Sequence, residues 1–182
     1  EGHGEVEAAN NLVVRLWQDL GGHLPWAPAL RWKNLHQAQG IEKACAFARV
    51  QGDVAGMLVL RDEDDHCPRD VGPRASTWLA NAALPFPAAM VLLHREYEVL
   101  FLPCLANMAG KPLGDGARRR PGLKAGTAWP YDSWEVKRDV KGWLTDQFER
   151  GAYKPTLDQL PLTRMIDLDL LRAGRVPCAE TL

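Results

Sequence analysis

Apolar positions recur at two different periods along this chain, and the switches between them set the predicted elements. Over residues 5–20, Val6, Ala9, Val13, Leu16, Trp17 and Leu20 return at three- and four-residue steps. That spacing predicts a helix, closed by Gly21-Gly22. A second helix is expected over 39–51, where Ile41, Ala44, Cys45, Phe47 and Ala48 share a side and Gly52 follows. Residues 54–60 are instead an unbroken apolar run that ends in acid, the pattern of a strand buried on both faces. Residues 73–84 read as a third helix, 88–93 as a second buried strand and 94–108 as an amphipathic helix. The Pro-interrupted stretch 26–32 reads as a strand at a sheet edge. Gly, Pro, Lys and Arg dominate 110–130, which predicts a long, flexible loop. Helices are expected again over 133–150, with Ser133 as N-cap, and over 156–172, ended by Gly174 and Pro177.

Helices alternating with buried strands predict an α/β fold: a Rossmann-like, mostly parallel sheet flanked by helices, with a C-terminal helical extension. The expected parts are a core over 1–108, a basic flexible loop over 109–132 and the extension over 133–182. In such sheets the active site lies beyond the carboxyl ends of the strands. Asp62-Glu63-Asp64-Asp65 occupies that place, directly after the first apolar run. Carboxylates at i and i+2 of an extended segment share one side, so Asp62 and Asp64 can converge on one cation. A hard divalent ion such as Mg2+ or Mn2+ keeps several waters and needs few protein carboxylates. Four adjacent acids repel one another unless a cation joins them. A solvated acidic loop is the other reading.

Composition narrows the partners. With 182 residues, 46% of them hydrophobic and 25% charged, the chain is of ordinary globular type. Lys and Arg number 22 against 23 Asp and Glu, a formal charge of -1, so affinity for a polyanion must come from local clustering. Lys111, Arg118, Arg119, Arg120 and Lys124 form such a cluster. It can track a nucleic-acid backbone, dock on an acidic protein or simply solvate the loop. Trp129, Tyr131 and Trp134 nearby can stack on bases or anchor the loop ends. Cys45, Cys67, Cys104 and Cys178 are far apart with no C-x-x-C pair, which argues against a zinc knuckle or redox dithiol. Free thiols point to a reducing, cytoplasmic setting. No apolar run approaches the roughly 20 residues of a membrane helix. Self-association stays open.

Further acids and bases could join the site. Glu96 and Glu98 follow the second strand; on a helix they would diverge by about 200°, so one of them, Glu98 by preference, faces the metal. Lys137 can neutralise phosphate charge or be an ordinary surface lysine. Glu1-Gly2-His3-Gly4-Glu5 sets two acids and two glycines before the first helix, where Glu5 also suits the helix dipole. A histidine-phosphatase reading of Gly2-His3-Gly4-Glu5 lacks its arginine, and a dinucleotide fingerprint lacks its third glycine.

Glu1-Gly2-x-x-Glu5 before a helix and Asp62-x-Asp64 after a strand together resemble the Toprim domain of primases, topoisomerases and overcoming-lysogenization-defect nucleases. The resemblance covers roughly the first hundred residues. The whole chain is similar to a bacterial Toprim-like family of unknown function often encoded beside an AAA-type ATPase. Residues 94–102 and 153–159 are similar to that family's later motifs. The resemblance implies a Mg2+- or Mn2+-dependent nuclease acting on DNA or RNA, with an ATPase partner in anti-phage defence. It implies Glu1 as metal ligand or general base, Asp62 and Asp64 as ligands, Glu5 as contributor to a second metal and Glu98 as a further ligand. A non-catalytic subunit that binds the ATPase or nucleic acid is the alternative. The Toprim glutamate ends a first strand, which is expected upstream of Glu1.

Overall fold

The computed structural model describes residues 5–23 and 25–177, the side chain of Arg118 excepted; Glu1 and His3 lie outside the described residues. The chain is α/β, as its patterning predicts. Its sheet pairs two parallel strands, β1 (Met57–Asp62) and β2 (Ala88–Leu93), in register from Met57 opposite Ala88 to Asp62 opposite Leu93. Helix α3 (Pro68–Asn81) joins them. Helices α1 (Glu5–Asp19) and α2 (Ala38–Val50) precede the sheet.

Both sheet faces are covered, which is why β1 and β2 read as continuous apolar runs. Val59, Met57, Ala88 and Met90 face a small core with Ile41 and Cys45 of α2 and Leu79 of α3. Leu58, Leu60, Val91 and Leu93 face the main core, which includes Ala8 and Leu12 of α1. The main core also takes in Phe101, Leu123, Leu144 and Leu162, so residues from all three expected parts share it.

Several predicted elements change form. The expected edge strand at 26–32 is irregular and largely exposed. Pro28 removes a ladder donor there, and Pro25 directly precedes the stretch. The expected amphipathic helix at 94–108 is a 3-10 segment, Tyr97–Cys104, followed by the short helix α4 (Leu105–Met108). Six successive residues from Tyr97 to Leu102 are buried, so this segment has no polar face to solvent. The expected helix at 133–150 shrinks to α5 (Val140–Gln147), and its cap is Asp139 in place of Ser133. Asp139 accepts the Gly142 N–H at 2.6 Å. A Cβ on Gly142 would lie 2.1 Å from the Asp139 carboxylate, so the cap requires glycine. The last helical stretch divides into a π-helical turn (Pro155–Gln159), α6 (Leu160–Arg164) and α7 (Leu168–Ala173).

The basic segment expected to be a flexible loop is tied down. Leu113 and Arg120 exchange two backbone hydrogen bonds, and Lys124 and Glu149 donate across the segment to Gln147 and Gly122. Leu113 and Leu123 are buried beneath it. Among the described residues, no helix is long and apolar enough to cross a membrane.

Candidate active site at the carboxyl rim of the sheet

Strand alternation splits the acidic run between the two sheet faces. Asp62, the last residue of β1, points to the same side as Leu58 and Leu60, the side covered by α1. Glu63 shares the opposite side with Arg61. The Arg61 guanidinium pairs with Glu63, both nearly fully buried, and also donates to the Leu35 carbonyl at 2.9 Å. His66 meets the other Glu63 oxygen at 2.9 Å. Glu63 therefore belongs to a structural ion pair. Asp65 pairs with Arg138 at the surface. Asp64 lies two residues past the end of β1 and is exposed, adding the smallest of the repulsions on Asp62. β1 stops at Asp62, so the i, i+2 alternation of a strand does not by itself carry Asp64 to that side, though its charge nonetheless acts on both Asp62 and Glu96.

The partners of Asp62 come from elsewhere in the chain. Lys141 Nζ stands 3.7 Å from Asp62 Oδ2, 3.7 Å from Glu96 Oε1 and 3.6 Å from Glu98 Oε2. Glu5, in the first turn of α1, is close enough to raise the Asp62 pKa and to favour the Lys141 charge. The basic group that meets the acids is thus Lys141; Lys137, four residues earlier, precedes α5 and forms no ion pair among the described residues. Glu96 sets the position of Lys141. Its Oε2 accepts the N–H groups of Val140 and Lys141, each at 3.1 Å, and so caps the donors left open at the start of α5.

Glu96 and Glu98 both reach the cluster, against the expectation that a helix would separate them. The backbone at Glu96 is extended, and the 3-10 turns begin only at Tyr97, so the divergence of an α-helix does not apply. Glu98 is fully buried. Its Oε1 accepts hydrogen bonds from Tyr153 Oη at 2.7 Å and Gln159 Nε2 at 3.3 Å. Asp62 Oδ1 and Glu98 Oε2 are buried with no hydrogen-bond donor.

Burial dominates the electrostatics. Removal from water pushes the Glu98 carboxyl up to about 7, against the opposing pull of Lys141 and the Tyr153 hydrogen bond. Burial and then the Glu5 charge hold Asp62 well above the usual carboxylate range. Glu96 is raised for the same first reason, with Lys141 opposing. Burial works against the Lys141 charge, but Glu98, Asp62, Glu96 and Glu5 outweigh it and lift its pKa above that of an ordinary lysine.

The oxygens of Asp62 and Glu98 suit a hard divalent cation in kind, and two of them lack donors. Among the described residues, however, no three His, Cys, Asp or Glu side chains stand in an arrangement that could hold a metal. The carboxylates of Asp62, Glu96 and Glu98 meet the Lys141 ammonium instead, at 3.7, 3.7 and 3.6 Å.

The predicted basic cluster divides as well. Arg120 turns inward: it donates to Asp158 Oδ2 at 2.9 Å and to the Ala152 carbonyl, and it lies over the Phe148 ring. Lys124 Nζ donates to the Asp146 carbonyl at 2.6 Å. Lys111 and Arg119 are exposed beside a groove of about 320 Å³ that Glu149 also lines. Trp129 stacks edge-on against Trp143 and Tyr131, and Trp134 donates to the Gly174 carbonyl, so both tryptophans anchor the segment while Tyr131 is exposed.

Sequence reasoning missed Lys141, Tyr153 and the site role of Gln159. The signal available for Lys141 was its place one residue into a helix whose cap, Asp139, precedes Gly142. Compared with family models, curated proteins and solved structures, the chain gives no match.

Proposed function

We infer that this chain is a divalent-metal-dependent nuclease that hydrolyses phosphodiester bonds in nucleic acid, using the carboxylate cluster at the rim of β1 and β2. The observation that supports this most is the pair of buried oxygens without a hydrogen-bond donor, Asp62 Oδ1 and Glu98 Oε2, on two carboxylates that share the Lys141 ammonium. Buried carboxylate oxygens without donors are unfavourable unless a cation satisfies them. Asp62 and Glu98 would hold Mg2+ or Mn2+, with Glu5 and Glu96 nearby and Glu1 and Asp64 added as the Toprim resemblance implies. Such an ion supplies Lewis-acid polarisation of the phosphodiester and an activated water. Lys141, on the first turn of α5, provides positive charge for a phosphate oxygen once the carboxylates engage another cation. Lys111 and Arg119 offer non-specific phosphate contacts along the nucleic-acid backbone. The same resemblance extends the proposal to a defence effector working with an AAA-type ATPase.

The test is cleavage of supercoiled plasmid and of structured RNA in Mn2+, Mg2+ or EDTA, by wild type and by Asp62→Asn and Glu98→Gln. Metal-dependent cleavage should fall at least about a hundredfold in both variants. Undiminished cleavage by both would remove the nuclease assignment.

A second reading is favoured by the ammonium at the centre of the acids, which already compensates them. In that reading the cluster is structural and the chain is a non-catalytic subunit that binds an ATPase or nucleic acid. Calorimetric titration with Mn2+ separates the two, since only the nuclease reading expects saturable binding that Asp62→Asn abolishes.

A further inference from the structure

Arg95 places a guanidinium at the carboxyl rim of the sheet and gives it no partner. It lies two residues past Leu93, the last residue of β2, and is half-buried. Among the described residues it makes no hydrogen bond, ion pair or ring contact, and its Nε is closed off from water without an acceptor. Four arginines are buried or half-buried among the described residues: Arg15, Arg61, Arg95 and Arg120. The other three are held, Arg15 by the Thr163 and Ile166 carbonyls, Arg61 by Glu63 and Arg120 by Asp158. Withdrawing a charge from water with no partner is unfavourable, so the position of Arg95 needs an acceptor from outside the fold.

Its neighbours set where that acceptor enters. His94 Nδ1 donates to the Glu63 carbonyl at 3.1 Å, which ties the end of β2 to the acidic run. Glu96 has extended backbone and turns to the start of α5, where it accepts the Val140 and Lys141 N–H groups. The acid that feels Arg95 is Glu135, in the segment ahead of α5. Burial raises its carboxyl, with His94 and then Arg95 opposing, yet it forms no ion pair with Arg95. Ligands of α/β sheets bind beyond the carboxyl ends of the strands, which is where this guanidinium stands. With Nε closed off, the terminal nitrogens are left to meet a ligand, and their planar spacing matches two oxygens of a phosphate.

We propose that Arg95 is a phosphate-binding residue of the rim, its terminal nitrogens taking an oxyanion that enters between the end of β2 and the segment ahead of α5. The assignment requires no metal. It rests on the reading of this rim as the place where substrate phosphate binds, and names the side chain that holds it.

The test uses the full chain of wild type and Arg95→Gln in EDTA, with two probes. One is a labelled single-stranded oligonucleotide followed by fluorescence anisotropy across a salt series; the other is inorganic phosphate followed by its effect on Tm. Without ligand, Arg95→Gln should keep the wild-type Tm, because it breaks no hydrogen bond of the fold. Oligonucleotide binding should weaken at least about tenfold in the variant, and the salt slope should fall by about 1. Phosphate should raise the Tm of wild type more than that of Arg95→Gln. A ligand-free Tm well below wild type would make Arg95 a structural partner of Glu135 and overturn the proposal. Equal responses of wild type and variant to both probes would overturn it and leave the nuclease reading standing. Arg95-dependent stabilisation by phosphate without oligonucleotide binding would uphold Arg95 and count against nucleic acid as the source of the phosphate. Response of wild type to neither probe would overturn the proposal.

Discussion

Lys141 Nζ stands 3.6 Å from Glu98 Oε2, an ion pair in which the acceptor oxygen receives no hydrogen bond. The Lys141 side chain keeps a third of its surface exposed while Glu98 keeps none. The lysine therefore enters from solvent to compensate a carboxylate that the core has enclosed, and it meets Asp62 and Glu96 at the same point.

Replacing Lys141 by Met should expose this dependence. Removing one partner of a buried ion pair is destabilising by about 3–5 kcal/mol, and partial exposure of Lys141 reduces the expected loss to about 2–3 kcal/mol at pH 7.5. Urea unfolding measures it. Under the metal reading, Mn2+ should restore more stability to the variant than it adds to wild type, because the three acids then lack their own cation.

Glu98 makes stability depend on pH. Its carboxyl is raised in the folded state from 4.5 to about 7, so the folded chain binds this proton more tightly than the unfolded chain does. The contribution is fully present below the unfolded value and is lost as pH rises through about 7. Urea midpoints should therefore fall between pH 5 and pH 8 in wild type, and the fall should be smaller in Glu98→Gln. Equal slopes would show that Glu98 does not carry the effect.

Within the acidic run, position decides the effect of each acid. Glu63→Ala leaves Arg61 buried without its carboxylate and should lower stability by about 3–5 kcal/mol. Asp65→Ala breaks only a surface pair with Arg138. Its effect should stay within about 0.5 kcal/mol. Chemical denaturation of the two variants side by side checks the contrast.

Among the basic residues, Arg120 should behave differently from its neighbours. Arg120→Ala deprives the fully buried Asp158 of its charged partner and should lower stability by about 2–3 kcal/mol. Lys111→Ala and Arg119→Ala should leave stability within about 0.5 kcal/mol. If the chain binds nucleic acid as proposed, these two should weaken binding on every sequence and lower the salt slope by about 1 each. Fluorescence anisotropy of a labelled oligonucleotide across a salt series reads that slope.

The sequence by itself determined the class of fold and one end of the site. Unbroken apolar runs at 54–60 and 88–93 mark strands covered on both faces, and the second is observed over the predicted residues. The three-and-four spacing of α1 and α2 sets their ends to within a residue. Asp62 was legible because a buried strand must deliver its next residue to the rim of the sheet. Contacts across long sequence separation decided the rest. Whether Glu63 or Asp64 joins Asp62 depended on where β1 stops, and a buried Arg61 claimed Glu63. Lys141 meets Asp62 across a sequence separation of 79, from 62 to 141, through Glu96 capping α5. Arg120 looked like surface charge until Asp158 and Phe148 drew it inward. Local periodicity reports which face of an element is apolar. It carries no information on which polar group from another element will satisfy a charge once water is gone, because only the assembled core fixes both their distance and their shared burial.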